Sequence, residues 1–380
     1  MDLSRRSFLH SLSAGGVAAA LHWPASGAAS GSPATESTHP PLLLNSTGNA
    51  YGPSERVQME MRRALSLARR FPNAEPDSGY DTLGRVIADF HGVHPGQVLI
   101  GCGSTEVQRS AVAALLGPGE RLVMARPTFD AIERYVRAAH AEVVTVPLNR
   151  EFGHDLDGML TAVNTAARLV YICNPNNPTG TLTYRKDLEI FIGKLPANTC
   201  VIIDEAYHHF AVPSSGYQSF IDHPMDDARV IVTRSFSKIH GLAGLRIGYA
   251  ISAAQTIEKM RPYQLQDSVN VVAMKAALAA LRDTVGLRIA IKHNEDARQE
   301  FVNQAVARML RPLSSHTNFV MVNTGHPASE VIRHFKEHNI LIGPPCPALE
   351  SHVRISYGRR EEMRRFWQVW DLKMFHPGEH

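Results

Sequence analysis

The sequence predicts an α/β fold. A large domain carries a seven-stranded, mostly parallel sheet covered by helices, and a smaller α+β domain follows it. Three observations lead there. Seven short apolar runs rich in β-branched residues recur at 97–100, 121–124, 142–146, 169–173, 200–204, 230–233 and 247–251. Helix-like stretches such as 105–116, 129–139 and 186–194 separate most of them, and strand–helix alternation implies parallel strands with helices on both faces. After Thr256 the pattern turns helical through 273–282 to about residue 307. It then changes to strands at 318–322 and 353–356 with helices at 328–338 and 360–374. The expected organisation is a leader over 1–28, a segment over 29–76 that joins the small domain, a large domain over 77–283 and a small domain over 284–380.

Composition narrows the function. The 380 residues hold 39 Lys plus Arg against 36 Asp plus Glu, a formal net charge of +3. That balance argues against a nucleic-acid partner, which needs a concentrated basic surface. Cys102, Cys173, Cys200 and Cys346 form no C-x-x-C pair, so neither a disulfide scaffold nor a structural zinc is expected. The adjacent His208 and His209 cannot readily chelate one ion from a continuing strand or helix, and no metal is expected.

The N-terminus is a local anomaly. From Ser7 to Thr35 there is no Asp, Glu, Lys or Arg, directly after Arg5-Arg6. The charged start, the mildly apolar stretch and the small residues Ser26-Gly27-Ala28 follow the order of a secretory signal peptide with a cut after Ala28. Ser4-Arg5-Arg6-Ser7-Phe8-Leu9 resembles the twin-arginine export signal. The stretch is too short and weak to span a bilayer stably. The expectation is export, to the periplasm, with a cytoplasmic location as the alternative.

In α/β sheets ligands sit beyond the carboxyl ends of the strands, and four segments there can carry chemistry. Gly101-Cys102-Gly103-Ser104-Thr105-Glu106 offers two glycines, two hydroxyls and the free N–H groups of a helix start, which suit a phosphate; a tight capped turn explains it equally well. Cys173-Asn174-Pro175-Asn176-Asn177-Pro178-Thr179-Gly180 is a rigid loop dense in amides, or simply a turn. Val201-Ile202-Ile203-Asp204 runs straight into a carboxylate that needs a cation or hydrogen bonds, unless it caps a helix. The fourth segment, from Ser235 to Gly248, places Lys238 among small and apolar residues with Arg246 beyond it. Such a lysine can form a Schiff base with an aldehyde, and a surface lysine is the plain alternative.

Taken together and in this order, the four segments resemble the class I/II aminotransferases, the pyridoxal-phosphate (PLP) enzymes of fold type I. Within that group the look is that of the histidinol-phosphate aminotransferases. The resemblance implies that Lys238 holds PLP as a Schiff base, that Asp204 pairs with the pyridine nitrogen, and that Asn177 and Tyr207 bond the ring's 3-oxygen. It implies that Phe129 stacks on the ring and that Gly103, Ser104, Thr105, Ser235, Ser237 and Arg246 hold the phosphate. Arg354 would grip the anionic end of the substrate, with Tyr51 and Asn177 on the same side. The group is dimeric, so a homodimer is implied.

The sequence departs from the family pattern at several positions. Gly48 and Ala50 replace a glutamate and a proline in Thr47-Gly48-Asn49-Ala50-Tyr51-Gly52, and His240 stands where a tyrosine is common. In Arg70-Phe71-Pro72, Phe71 replaces a tyrosine that reaches the neighbouring subunit's PLP phosphate, and Tyr80 is a candidate substitute. The implied activity is transfer of an amino group from an amino donor, histidinol phosphate among the candidates, to a 2-oxo acid. A PLP-dependent decarboxylase, lyase or oxidase is the alternative on the same scaffold.

Overall fold

A computed structural model describes residues 40–72 and 79–373. The expected leader, 1–28, lies outside the described residues. Among the described residues no helix is long and apolar enough to cross a membrane.

Twelve strands are present among the described residues. The first, β1 (Leu42–Leu44), precedes the seven of the large sheet: β2 (Val98–Gly101), β3 (Arg121–Arg126), β4 (Glu142–Pro147), β5 (Ala167–Cys173), β6 (Cys200–Asp204), β7 (Val230–Ser235) and β8 (Gly248–Ile251). The C-terminal part adds β9 (Arg311–Pro312), β10 (Phe319–Asn323), β11 (Ile340–Ile342) and β12 (His352–Ser356).

The large sheet has the order β2-β8-β7-β6-β5-β3-β4, and only β8 runs antiparallel to its neighbours. The exception has a local cause. Parallel neighbours need a long crossover, usually an α-helix, whereas the chain between β7 and β8 holds just a 3-10 turn at Ala243–Leu245. Central strands are apolar on both sides because both faces are covered. Val123, Val170, Ile172, Val201 and Ile203 pack into one core, while Leu122, Met124, Leu169, Tyr171 and Ile202 pack into the other. That is the period-two alternation of a strand. The edge strand β4 keeps a mostly exposed or half-buried pattern.

Two helices before β2 went unread in the sequence. Helix Glu55–Ala64, capped by Ser54, and helix Tyr80–His91 pack Val57, Leu83 and Ile87 against Ala273, Ala276 and Ala277 of helix Val271–Leu281. The segment expected to join the small domain therefore divides. β1 pairs in parallel with β11, but helix Glu55–Ala64 belongs to the core of the large sheet.

The small domain has its own core. Phe301, Phe335, Phe366, Trp367 and Trp370 form its aromatic centre, with Phe335 and Phe366 stacked at 4.6 Å. In its antiparallel sheet, order β12-β10-β9, Arg354 lies opposite Met321, and both reach the cleft at the mouth of the large sheet.

Candidate active site

The carboxyl end of the large sheet opens on a cleft of about 480 Å³, lined by Thr47, Phe129, Asn177, Lys238, Met321 and Arg354 among others. Asp204 ends β6 and is buried, 2% exposed. Burial pushes its carboxyl up from its ordinary value, and hydrogen bonds pull it back. Gln108 Nε2 and Tyr171 OH donate to Oδ2 at 2.7 and 2.9 Å, and the Ala206 N–H donates to Oδ1 at 3.1 Å. Among the described residues no Lys, Arg or His pairs with it. A buried carboxylate held in this way is suited to a cation supplied from outside the chain.

Lys238 lies in the tight loop after β7. Its Nζ stands 5.1 Å from the centre of the Tyr207 ring and donates to Thr47 Oγ1 at 2.6 Å. Asn177 ties the two sides of the cleft together. Its Nδ2 donates to Tyr207 OH at 3.2 Å, and its Oδ1 accepts from Arg354 Nη1 at 2.7 Å. Arg354 Nη2 donates to the Asn45 carbonyl at 2.9 Å, and its buried Nε has no partner. Burial lowers the guanidinium's pKa from its usual value, and among the described residues no carboxylate pairs with it. A half-desolvated cation with donors to spare is a receptor for a carboxylate or phosphate. Gly343 makes room for it, because a Cβ there would meet Arg354 Cβ at 2.9 Å.

The second cluster surrounds the start of helix Ser104–Leu115. Gly103, at φ 80°, precedes it, and a Cβ on Gly103 would collide with the Arg246 guanidinium. Arg246 itself takes φ 55° and donates to Ser237 Oγ at 3.3 Å and to the Ala243 carbonyl at 3.0 Å. Ser235 Oγ accepts the Ser237 N–H at 3.0 Å. Gly248 lets β8 approach, since a Cβ would run into the Ser104 backbone nitrogen. Ser104 and Thr105 occupy the first turn, where N–H groups lack helical partners and favour an anion. One turn further the same helix presents Gln108 to Asp204, so the anion cradle and the buried carboxylate share one rigid element.

Two tyrosines lie elsewhere. Tyr51 does not line the cleft that holds Lys238 and Arg354; it stacks on His293 at 4.1 Å, facing other cavities. The turn turns it away, because Asn49 Nδ2 is anchored on the Ile239 carbonyl at 2.9 Å and the Gly52 N–H on the Asn49 carbonyl. Tyr80, the candidate substitute for a tyrosine at Phe71, is engaged in its own chain: its hydroxyl accepts the Val269 N–H at 2.9 Å and contacts Ser268 Oγ at 3.2 Å. Phe71 is 78% exposed.

Thr47, Gln108 and Tyr171 went unread in the sequence. Strand alternation carried a signal for Tyr171, which shares a face of the sheet with Cys173, opposite Asp204 in register. A glutamine buried on a helix otherwise packed against the sheet is the corresponding signal for Gln108.

These residues fit the PLP that the resemblance implies. The unpaired buried carboxylate suits a pyridinium, the glycine-lined helix start beside Arg246 suits a phosphate, and Lys238 lies in the same cleft as Phe129. Residues 40–369 match the family aminotransferase class I and II. The chain is similar to histidinol-phosphate aminotransferase 2 of Carboxydothermus hydrogenoformans, 34% identical over 87% of this chain and 90% of that protein. It is similar to histidinol-phosphate aminotransferase 1 of Nitrosococcus oceani, 33% identical over 86% and 87% of the two. Among solved structures it is similar to the histidinol-phosphate aminotransferase of Sinorhizobium meliloti in complex with pyridoxal-5'-phosphate. That match has a TM-score of 0.80 and 28% identity, and covers 88% of this chain and 90% of the other.

Proposed function

The chain belongs to the class I and II aminotransferases and is a PLP-dependent aminotransferase; on that premise we propose that Lys238 is its catalytic amine and Arg354 its substrate receptor. When bound, PLP supplies an aldehyde that condenses with an amine and a ring that accepts the electron pair left when Cα loses a proton. Asp204, fixed by Gln108 and Tyr171, keeps the ring nitrogen protonated. Gly103, Ser104, Thr105, Ser235, Ser237 and Arg246 would hold the phosphate, Phe129 would lie against the ring, and Asn177 with Tyr207 would bond its 3-oxygen. Lys238 Nζ would hold the cofactor and, when free, would carry the proton lost from the substrate's Cα.

The observation that carries the substrate reading is Arg354: half-buried, joined to Asn177 and without a carboxylate partner among the described residues. It suits an amino donor with one anionic end, a carboxylate or the phosphate of histidinol phosphate, the substrate in the relatives' names. The leader-like start supports an exported enzyme acting outside the cytoplasm, which favours an amino-acid donor over a biosynthetic phosphate. A twin-arginine passage of the folded, loaded enzyme fits that start. The enzyme acts as a homodimer, for which exposed Met59, Leu65 and Phe71 supply apolar surface.

The test is a half-reaction screen. Loss of the bound cofactor's visible band is read against amino acids and histidinol phosphate, followed by conversion of an added 2-oxo acid to its amino acid. At least one donor with an anionic end should react in stoichiometric amount. Reaction only with donors lacking one would remove Arg354 from its role. A fusion of residues 1–35 to a reporter active only outside the cytoplasm tests export, and a silent reporter would count against it.

A further inference from the structure

Thr47 holds a hydroxyl in the cleft that the roles above leave without a task. The residue is 3% exposed and sits at φ 54°. Left-handed backbone is rare for a β-branched residue and persists only where the surroundings enforce it. Here they do. The Thr47 N–H donates to Ser356 Oγ at 2.9 Å, and Asn318 Nδ2 donates to the carbonyls of Thr47 and Gly48 at 3.0 and 2.9 Å. The outcome is that both oxygens of one residue face one amine. Lys238 Nζ donates to Thr47 Oγ1 at 2.6 Å and to the Thr47 carbonyl at 3.2 Å, and Tyr207 OH reaches the same Oγ1 at 3.4 Å.

We infer that Thr47 is a positioning residue for the reaction: whenever the Lys238 amine is not bonded to cofactor, Thr47 clasps it and keeps Nζ inside the cleft. A hydroxyl is suited to this because it is both donor and acceptor. Toward an ammonium, Oγ1 and the carbonyl both accept. Toward a neutral amine, the hydroxyl turns its proton to the Nζ lone pair while the carbonyl still accepts an N–H. One residue thus holds both protonation states, and a lysine that takes a proton from one carbon and returns it to another alternates between those states. The left-handed turn is what aims side chain and carbonyl at the same point. The inference rests on Lys238 as the reacting amine.

Three variants of the full chain test it: Thr47→Val, which keeps the β-branched shape without the hydroxyl, Thr47→Ser, which keeps the hydroxyl, and Lys238→Ala. In cofactor-free protein, trace acetic anhydride labels lysines in proportion to their reactivity, with exposed Lys292 as internal reference. PLP capture, which joins Nζ to the aldehyde carbon with loss of one water, is then followed by rapid mixing. In Thr47→Val the labelling of Lys238 should rise about three- to tenfold, as expected for loss of one hydrogen bond, with Lys292 unchanged. PLP capture should slow by a similar factor, at unchanged Tm and final stoichiometry. Thr47→Ser should restore both. A Thr47→Val protein that matches the parent in both readouts, or a Thr47→Ser protein that behaves like Thr47→Val, overturns the inference. Should Thr47→Val not fold, Thr47→Ala retains the backbone hydrogen bonds and has the same expected result. Covalent PLP on Lys238→Ala would instead overturn the assignment of the lysine itself, so the two failures are distinct.

Discussion

The cofactor side and the substrate side of the cleft are built differently. On the cofactor side, Asp204, Lys238, Gly103 and Arg246 all stand at the ends of neighbouring strands of one sheet, β6, β7, β2 and β8. Helix Ser104–Leu115 joins the anion cradle to the carboxylate. The substrate side is assembled from pieces far apart in the chain. Arg354 on β12 reaches Asn177 after β5 and the Asn45 carbonyl after β1, partners 177 and 309 residues away. A ligand of fixed shape can be served by one rigid layer; a site for exchangeable substrates draws on separate segments. The departures from the aminotransferase pattern follow that division only in part, since His240 and Phe71 fall on the cofactor side. Gly48 and Ala50 lie in the N-terminal turn, whereas the Asp204, Lys238 and Arg246 motifs are intact.

The comparison can be broken most sharply at Asp204. Asp204→Asn leaves Gln108 and Tyr171 a group of similar shape to bind but removes the charge proposed to face the ring nitrogen. Losing one partner of a buried charge pair costs about 3–5 kcal/mol, or on the order of 10²–10⁴ in turnover. KM should change little, because the substrate side is untouched. Turnover within a few fold of the parent would show that the carboxylate is not paired with the ring.

Arg354→Ala is the complementary cut. Truncating one partner of a buried, hydrogen-bonded charge pair costs about 2–5 kcal/mol, so KM for a carboxylate donor should rise by about 30-fold or more. The visible band of the bound cofactor should stay. Arg354→Lys should rescue poorly, since a point charge cannot reproduce a two-point grip. If the Arg354→Ala protein loses its cofactor as readily as its substrate, the two sides are not separable units.

Legibility in the sequence follows the same line. The inner strands of the large sheet were readable because each is an apolar run covered on both faces, and the edge strand β4, mostly exposed or half-buried, was readable from its β-branched residues. β1, β9 and β11 hold three, two and three residues, too few for any period to declare itself. Helix Glu55–Ala64 escaped because half of its sequence is charged and it buries just Val57 and Ala64. In the site, motifs contiguous in sequence were readable, and the long-range donors to Asp204 were not. Tyr51 is predicted by its place in the motif to contact the substrate; within this chain the turn anchored at Asn49 sets its ring on His293. Thr47 was invisible for a related reason, since its conformation is imposed by Asn318, some 270 residues away.

The smallest expected effect concerns what lies beneath the cofactor side. His240, two residues after Lys238, is half-buried between Phe236 and His209, with ring centres 5.2 Å from each. Burial lowers its pKa from 6.5 to about 4, and burial lowers that of His209 as well. The unfolded chain therefore binds protons that the folded chain excludes. Stability is full above the unfolded value and falls as pH drops from about 6.5 through about 4. Acid should thus loosen the cofactor side first, and release of PLP should precede loss of helical signal in an acid titration. His240→Gln cannot take up that proton. Its Tm should match the parent's within a few degrees at pH 7.5 and fall less steeply toward pH 5, by about 2–4 °C for each kcal/mol of linkage removed. A parallel fall of the two proteins would mean that the acid sensitivity lies elsewhere. If helical signal and PLP were lost together, the large sheet and the small domain would be one cooperative unit, and the contrast between the two sides would be one of chemistry alone.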